Sequence, residues 1–191
     1  MSHLLFVRHG QDEDNANRIL NGRRDRPLTT LGQRQAAMTA RRLAILRPDV
    51  VYVSPLQRAR QTAAIISELL GLRQVIELPE LIERDFGSLT GIPYDEIADR
   101  SSRTMQAHGF TVFLEADGSE RHAEVAIRAM RGIAAIHARH PDERVLCVSH
   151  GDVFKGLLMG LEHQTLEQAI NDRWLENAEI ADLGIFNRQT V

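Results

Sequence analysis

Two short apolar runs in this chain each end on a histidine followed by a glycine. They are Leu4-Leu5-Phe6-Val7-Arg8-His9-Gly10 and Val145-Leu146-Cys147-Val148-Ser149-His150-Gly151. Glycine lets a backbone bend sharply or come close to a ligand. Two further segments add charge: Ser54-Pro55-Leu56-Gln57-Arg58-Ala59-Arg60 supplies arginines, and Leu81-Ile82-Glu83-Arg84-Asp85-Phe86-Gly87 supplies acids beside a glycine hinge. Histidines, arginines and a carboxylate together suit phosphoryl transfer. A neutral imidazole nitrogen attacks phosphorus and splits one hard displacement into two easier ones. Charge on the equatorial oxygens is matched by the always-charged fork of arginine. Nearby guanidiniums also disfavour imidazolium, which helps keep the nucleophile neutral. A carboxylic acid protonates the leaving oxygen and later takes a proton from the attacking water. Lys155 is the only lysine among the 23 basic residues, so an anion site here is built from arginine, histidine and backbone N–H groups.

Elements that could hold these groups follow from the apolar pattern. Strands are expected over 3–8, 50–53, 75–78 and 145–148, with an alternating edge strand over 179–186. Helices are expected over 29–47, stopped by Pro48, over 56–70, closed by Gly71, and over 119–140 and 152–161. Strands alternating with amphipathic helices define an α/β, three-layer sandwich with a mostly parallel sheet flanked by helices. In such sheets ligands bind outside the carboxyl ends of the strands, which is where both His-Gly pairs fall. One domain over 1–191 is expected, with an irregular insertion or lid at about 91–118.

Composition excludes several classes. The 191 residues are 43% hydrophobic and 26% charged, an ordinary globular balance. A net charge of −3 is no polyanion-binding signature, so no nucleic-acid partner is expected. No apolar run approaches the ~18 residues of a membrane span, and the first residues carry no basic leader for a signal peptide. The single cysteine, Cys147, rules out an internal disulfide framework, and its apolar neighbours mark it as a buried small residue. A cytoplasmic protein is the expectation, and a homodimer is compatible with it.

The segments Arg8-His9-Gly10-Gln11, Asn21 through Ala36, Ser54 through Ala63, Glu83 through Gly87 and Ser149-His150-Gly151 together resemble the histidine phosphatase superfamily, which includes cofactor-dependent phosphoglycerate mutases and fructose-2,6-bisphosphatases. The likeness runs from Leu4 to about Leu161. It implies a phosphoglycerate mutase-like fold and a phosphomonoester hydrolase working through a covalent phosphohistidine on a small phosphorylated metabolite. It also implies roles: His9 as nucleophile, Glu83 as proton donor, and Arg8, Arg58 and His150 as holders of the phosphoryl group. Asn15 would contact the phosphate, with Gln11, Asn21 and Gly22 lining the mouth. No metal and no cofactor are implied.

Departures from the family pattern favour a phosphatase over a mutase. Ile92-Pro93 follows Gly91 where mutases carry an Asn-Lys pair, and the sole lysine, Lys155, is far from it in sequence. Arg100 and Arg103 are spaced unlike the mutase's carboxylate-holding arginines. Asp12-Glu13-Asp14 places acidic charge where the mouth is expected, which would weaken attraction for a heavily phosphorylated substrate. Two other readings compete: a metallohydrolase using His9, His150 and Glu83 as ligands, and a non-catalytic phosphoester-binding protein. Among the remaining polar residues, Arg60 reads as structural or solvated, and Arg84 as either an ion-pairing partner or a site residue. The 23–26 run reads as a solvated turn, with substrate steering as the sharper option. His137 and His140 have a metal-like spacing but no third ligand nearby, so they read as surface residues.

Overall fold

The computed structural model describes residues 2–186, so Met1 and positions 187–191 of the expected domain lie outside the described residues. The chain opens with β1 (Ser2–Arg8) and a short helix, α1 (Glu13–Ala16). Then come α2 (Thr30–Leu46), β2 (Val50–Val53), α3 (Gln57–Leu70) and β3 (Val75–Glu77). After single-turn 3-10 segments follow α4 (Ile97–Arg100), β4 (Arg103–Ala107) and β5 (Phe110–Glu115). The chain continues with α5 (His122–Arg139), β6 (Arg144–Ser149), α6 (Gly151–Leu161), α7 (Leu166–Asp172) and β7 (Ile180–Phe186).

The main sheet has the order β3-β2-β6-β1-β7, parallel throughout except for β7, which pairs antiparallel with β1 at one edge. Its inner strands are apolar on both faces because helices cover both. Period-two alternation sends Leu4, Phe6, Tyr52, Val145 and Cys147 to one side, against Val125, Ile133 and Ile136 of α5 and Val153, Phe154 and Leu157 of α6. Leu5, Val7, Val51, Val53, Leu146 and Val148 face the other side, against Ala40 and Leu43 of α2 and Ala59, Ala63 and Ile66 of α3. The expected three-layer α/β sandwich is what the chain adopts. Each large side chain buried in these layers contributes roughly 1.5–3 kcal/mol. Cys147 lies at the centre of this packing, fully buried, and burial pushes its thiol up to about 12.

Two expectations need correction. Within 91–118 the chain is more regular than its sequence suggested, because β4 and β5 form an antiparallel hairpin. Its turn is His108-Gly109, with φ of 53° and 78°, a backbone shape that matches the right-handed twist of paired strands and needs glycine or a tolerant residue. His140 is buried rather than at the surface. The last turn of α5 lies over the amino end of β1, where the Ser2 hydroxyl donates to the His140 carbonyl at 2.6 Å, and the Tyr52 hydroxyl lies 3.0 Å from His140 Nε2.

Candidate active site

β1 and β6 run side by side, with Arg8 paired to Ser149, so both His-Gly turns leave the sheet at the same end. The His9 and His150 rings are 5.1 Å apart, centroid to centroid. His9 Nδ1 lies 2.7 Å from the Gly10 carbonyl, an acceptor only, so Nδ1 carries the proton and Nε2 keeps its lone pair. Arg58 Nε donates to that Nε2 at 3.1 Å. Burial first, then the Arg58 and Arg8 charges, hold His9 well below the ordinary imidazole range. His150 is held low in the same way, by burial and then by Arg58. Both rings are therefore neutral near pH 7.

Arg58 reaches this position from the first turn of α3, fully buried. Its NH1 and NH2 donate to the carbonyls of Arg24 and Gly22, each at 2.7 Å, and its Nε is 3.3 Å from Asp12. Three of its five donors are thus used, which fixes the plane of the guanidinium and leaves two for a ligand. Asp12 in turn accepts from the Asn15 amide at 2.7 Å and from Asn21 Nδ2 at 2.6 Å. Burial raises the Asp12 carboxyl, with Arg58 opposing. Asp14 is also buried and takes Arg24 Nε at 2.8 Å. Two of the three acids expected at the mouth are therefore spent inside, and only Glu13 is exposed.

Of the six buried side-chain polar atoms without a hydrogen-bond partner among the described residues, two belong to this group, Arg8 Nε and His150 Nδ1. A buried donor without a partner costs about 1–3 kcal/mol, so atoms of this kind mark a place for a ligand. His150 is oriented by the Ser54 hydroxyl, 2.7 Å from its Nε2, and Arg8 by an NH1 bond of 2.8 Å to the Leu175 carbonyl. Glu83 is buried behind a single bond from the Arg84 amide to its Oε1, at 2.8 Å. Burial, and then the charge of Asp152, push its carboxyl up to about 7. Asp152 itself stays below the usual carboxyl range. Burial works against its charge, but Lys155 at 2.7 Å and Arg84 at 2.6 Å outweigh it.

A cavity of about 450 Å³ opens onto this group. Arg8, His9, Asn15, Asn21 and Glu83 line it, while Arg58 and His150 adjoin His9 and are fully buried. Gln11 and Gly22 are not on its wall. The Gln11 side chain is taken by the Thr29 hydroxyl at 2.9 Å, at the start of α2, and Gly22 contributes its carbonyl to Arg58. Arg84 is a buried ion-pairing residue that also reaches the cavity. Arg60 pairs with Glu77 at 3.7 Å on the surface, and Arg100 and Arg103 pair with Glu96 and Glu115. Lys155, far in sequence from Gly91 but four residues past Gly151, lines the cavity as well. Its signal was the neighbouring Asp152, because residues three apart on a helix share a face. Asn177, unremarked in the sequence, donates to the His9 carbonyl at 3.1 Å and to Asn15 Oδ1 at 3.0 Å.

The fold and the paired His-Gly turns define a phosphoryl-handling α/β protein, and the comparisons with known proteins say which. The sequence profile of the histidine phosphatase superfamily (branch 1) matches residues 4–191. An uncharacterized phosphatase, PhoE, of Bacillus subtilis is 30% identical over 185 residues, covering 95% of this chain and 90% of that one. A 2,3-bisphosphoglycerate-dependent phosphoglycerate mutase of a Methylobacterium species is 34% identical over 174 residues, with 86% and 82% covered. The solved structure of a mycobacterial glucosyl-3-phosphoglycerate phosphatase with VO3 superposes with a TM-score of 0.80 at 27% identity, over 93% of this chain and 88% of that one. The chain belongs to the histidine phosphatase superfamily, and it is a phosphatase of that superfamily.

Proposed function

We propose that the protein hydrolyses small phosphomonoesters through a phosphohistidine at His9. The observation that carries this is the His9 ring itself: Nδ1–H is committed to the Gly10 carbonyl, while Nε2 holds its lone pair within reach of Arg58 and across from His150. Nε2 attacks phosphorus in line with the ester oxygen, the P–O bond breaks, and the Glu83 carboxylic acid gives its proton to the departing alkoxide. The charge on the phosphoryl oxygens is met by the free donors of Arg8 and Arg58 and by His150, whose Nδ1 is unpartnered. Water then attacks the phosphohistidine and gives a proton to the Glu83 carboxylate. The P–N bond breaks and phosphate leaves. Asn15 and Asn21 line the approach to this centre, while Gln11 and Gly22 support it from behind.

The metallohydrolase reading is disfavoured by the donor set. Among the described residues no group of three or more His, Cys, Asp or Glu side chains could hold a metal ion, and the Arg58 and Arg8 charges acting on His9 would repel a cation there. p-Nitrophenyl phosphate turnover by the wild-type protein and by His9→Ala, before and after exhaustive chelation, tests the proposal. Turnover that survives chelation and vanishes in His9→Ala is expected. Equal turnover by the two proteins would remove His9 from the mechanism, and loss on chelation would restore the metal reading.

A further inference from the structure

The half of the cavity away from His9 has a different character. Its wall is the β4–β5 hairpin, which contributes Phe110, Val112 and Phe113, faced by Trp174 just after α7. Phe110 and Trp174 stack, 5.5 Å between centroids and 21° between planes, yet Phe110 remains 43% exposed. The stack is held in place rather than floating. The tight His108-Gly109 turn sets the hairpin, and His108 Nε2 lies 2.8 Å from the Ile170 carbonyl of α7, the helix that precedes Trp174.

The cations beside the stack are engaged. Lys155 is 2.7 Å from Asp152 and 5.4 Å from the Trp174 ring centroid, Arg173 pairs with Glu162 and Asp172, and Arg18, further along the wall, lies 5.7 Å from the Tyr94 ring centroid. A short substrate with a carboxylate would find little to grip there, and it would leave most of the 450 Å³ unfilled. An uncharged ring would instead cover an exposed aromatic face and displace water from it.

Building on the phosphatase reading, we propose that Phe110 and Trp174 form a platform for the leaving group, and that the preferred substrates are phosphomonoesters of alcohols carrying a planar, uncharged ring. No residue of this platform touches the reacting phosphorus; it sets which alcohol is held.

Phenylbutyl phosphate and butyl phosphate have matched leaving oxygens, so the ratio of their kcat/KM values reads the ring alone. A ring packed on the platform should favour phenylbutyl phosphate by about tenfold or more, mostly through KM, because the contact is the same in ground and transition states. Phe110→Ala and Trp174→Ala should each bring the ratio close to one, while Trp174→Phe keeps most of it. Trp174 is the chain's only tryptophan, so binding is also visible without turnover. In His9→Ala, phenylbutyl phosphate should change the intrinsic emission at concentrations where butyl phosphate does not. A ratio near one in the wild type, or a preference kept by both alanine variants, would overturn the platform. Failure of the wild type to hydrolyse either ester would count against the hydrolase reading alone. The emission of His9→Ala would still decide whether a ring binds, and no selective change there would overturn the platform too.

Discussion

Glu83 is the residue whose titration should be visible from outside. Its carboxyl, pushed up to about 7 by burial and Asp152, is protonated on the acid side of neutrality and so available as a proton donor. For an alkyl phosphate, whose leaving oxygen needs that proton, kcat should decline as pH rises through about 7, and Glu83→Gln should lose that limb along with roughly a hundredfold or more in rate. With p-nitrophenyl phosphate the first step needs less help, so Glu83→Gln should release a burst of nitrophenol and accumulate phosphohistidine. Stability carries the same sign. The folded chain keeps this proton between its unfolded value of 4.5 and about 7, so stability falls as pH rises across that window. The melting temperature of Glu83→Gln relative to wild type should therefore be higher at pH 8 than at pH 4.5, and an unchanged difference would refute the shift. The catalytic set was legible because each member sits at a strand end or in a first helical turn, where residue type announces chemistry. Lys155 was not, because its nearness to Glu83 depends on which way α6 faces after Gly151.

Strands and helices with one buried face were legible at the scale of the element, since alternation and helical spacing are written in residue type. The hairpin was harder to see. His108 is an unusual occupant of a left-handed turn position, and β4 carries mostly exposed polar side chains, so no alternation stands out. What ties the hairpin to the sandwich is Arg84, 1% exposed, which donates to the carbonyls of Leu114 and Phe113 at 3.2 Å each and to Asp152 on α6 at 2.6 Å. Its guanidinium also packs 4.0 Å from the Phe113 ring centroid. Arg84→Met removes every one of these bonds while keeping bulk. Breaking a buried pair of this kind costs about 3–5 kcal/mol, and urea unfolding should show it, together with faster amide exchange in β5. A loss under about 1 kcal/mol, the level of a surface pair, would mean the hairpin is held by its apolar contacts instead.

Whether the whole molecule acts as phosphatase or mutase is decided by how long the cavity keeps a dephosphorylated product. A mutase must hold that product until it turns and is rephosphorylated, which needs a firm grip and exclusion of water. Lys155 reaches the cavity despite its distance in sequence from Gly91, but Asp152 has already claimed it, and Arg173 is bound to its own acids. Product should therefore escape first. Given 3-phosphoglycerate with 2,3-bisphosphoglycerate, phosphate release should exceed formation of 2-phosphoglycerate at least roughly a hundredfold, about 2.7 kcal/mol at ~1.36 kcal/mol per decade. Isomerisation outrunning phosphate release would overturn this. The placement of Cys147 has a use of its own. It lies in β6, the middle strand of the main sheet, bonded on one side to β2 and on the other to β1. Only a thiolate reacts with disulfide reagents, and a buried thiol with its ionisation pushed up to about 12 has none to offer. Labelling must wait for α5 and α6 to lift from that face of the sheet, so its rate is a clock, native to the chain, for how often that helical layer comes open.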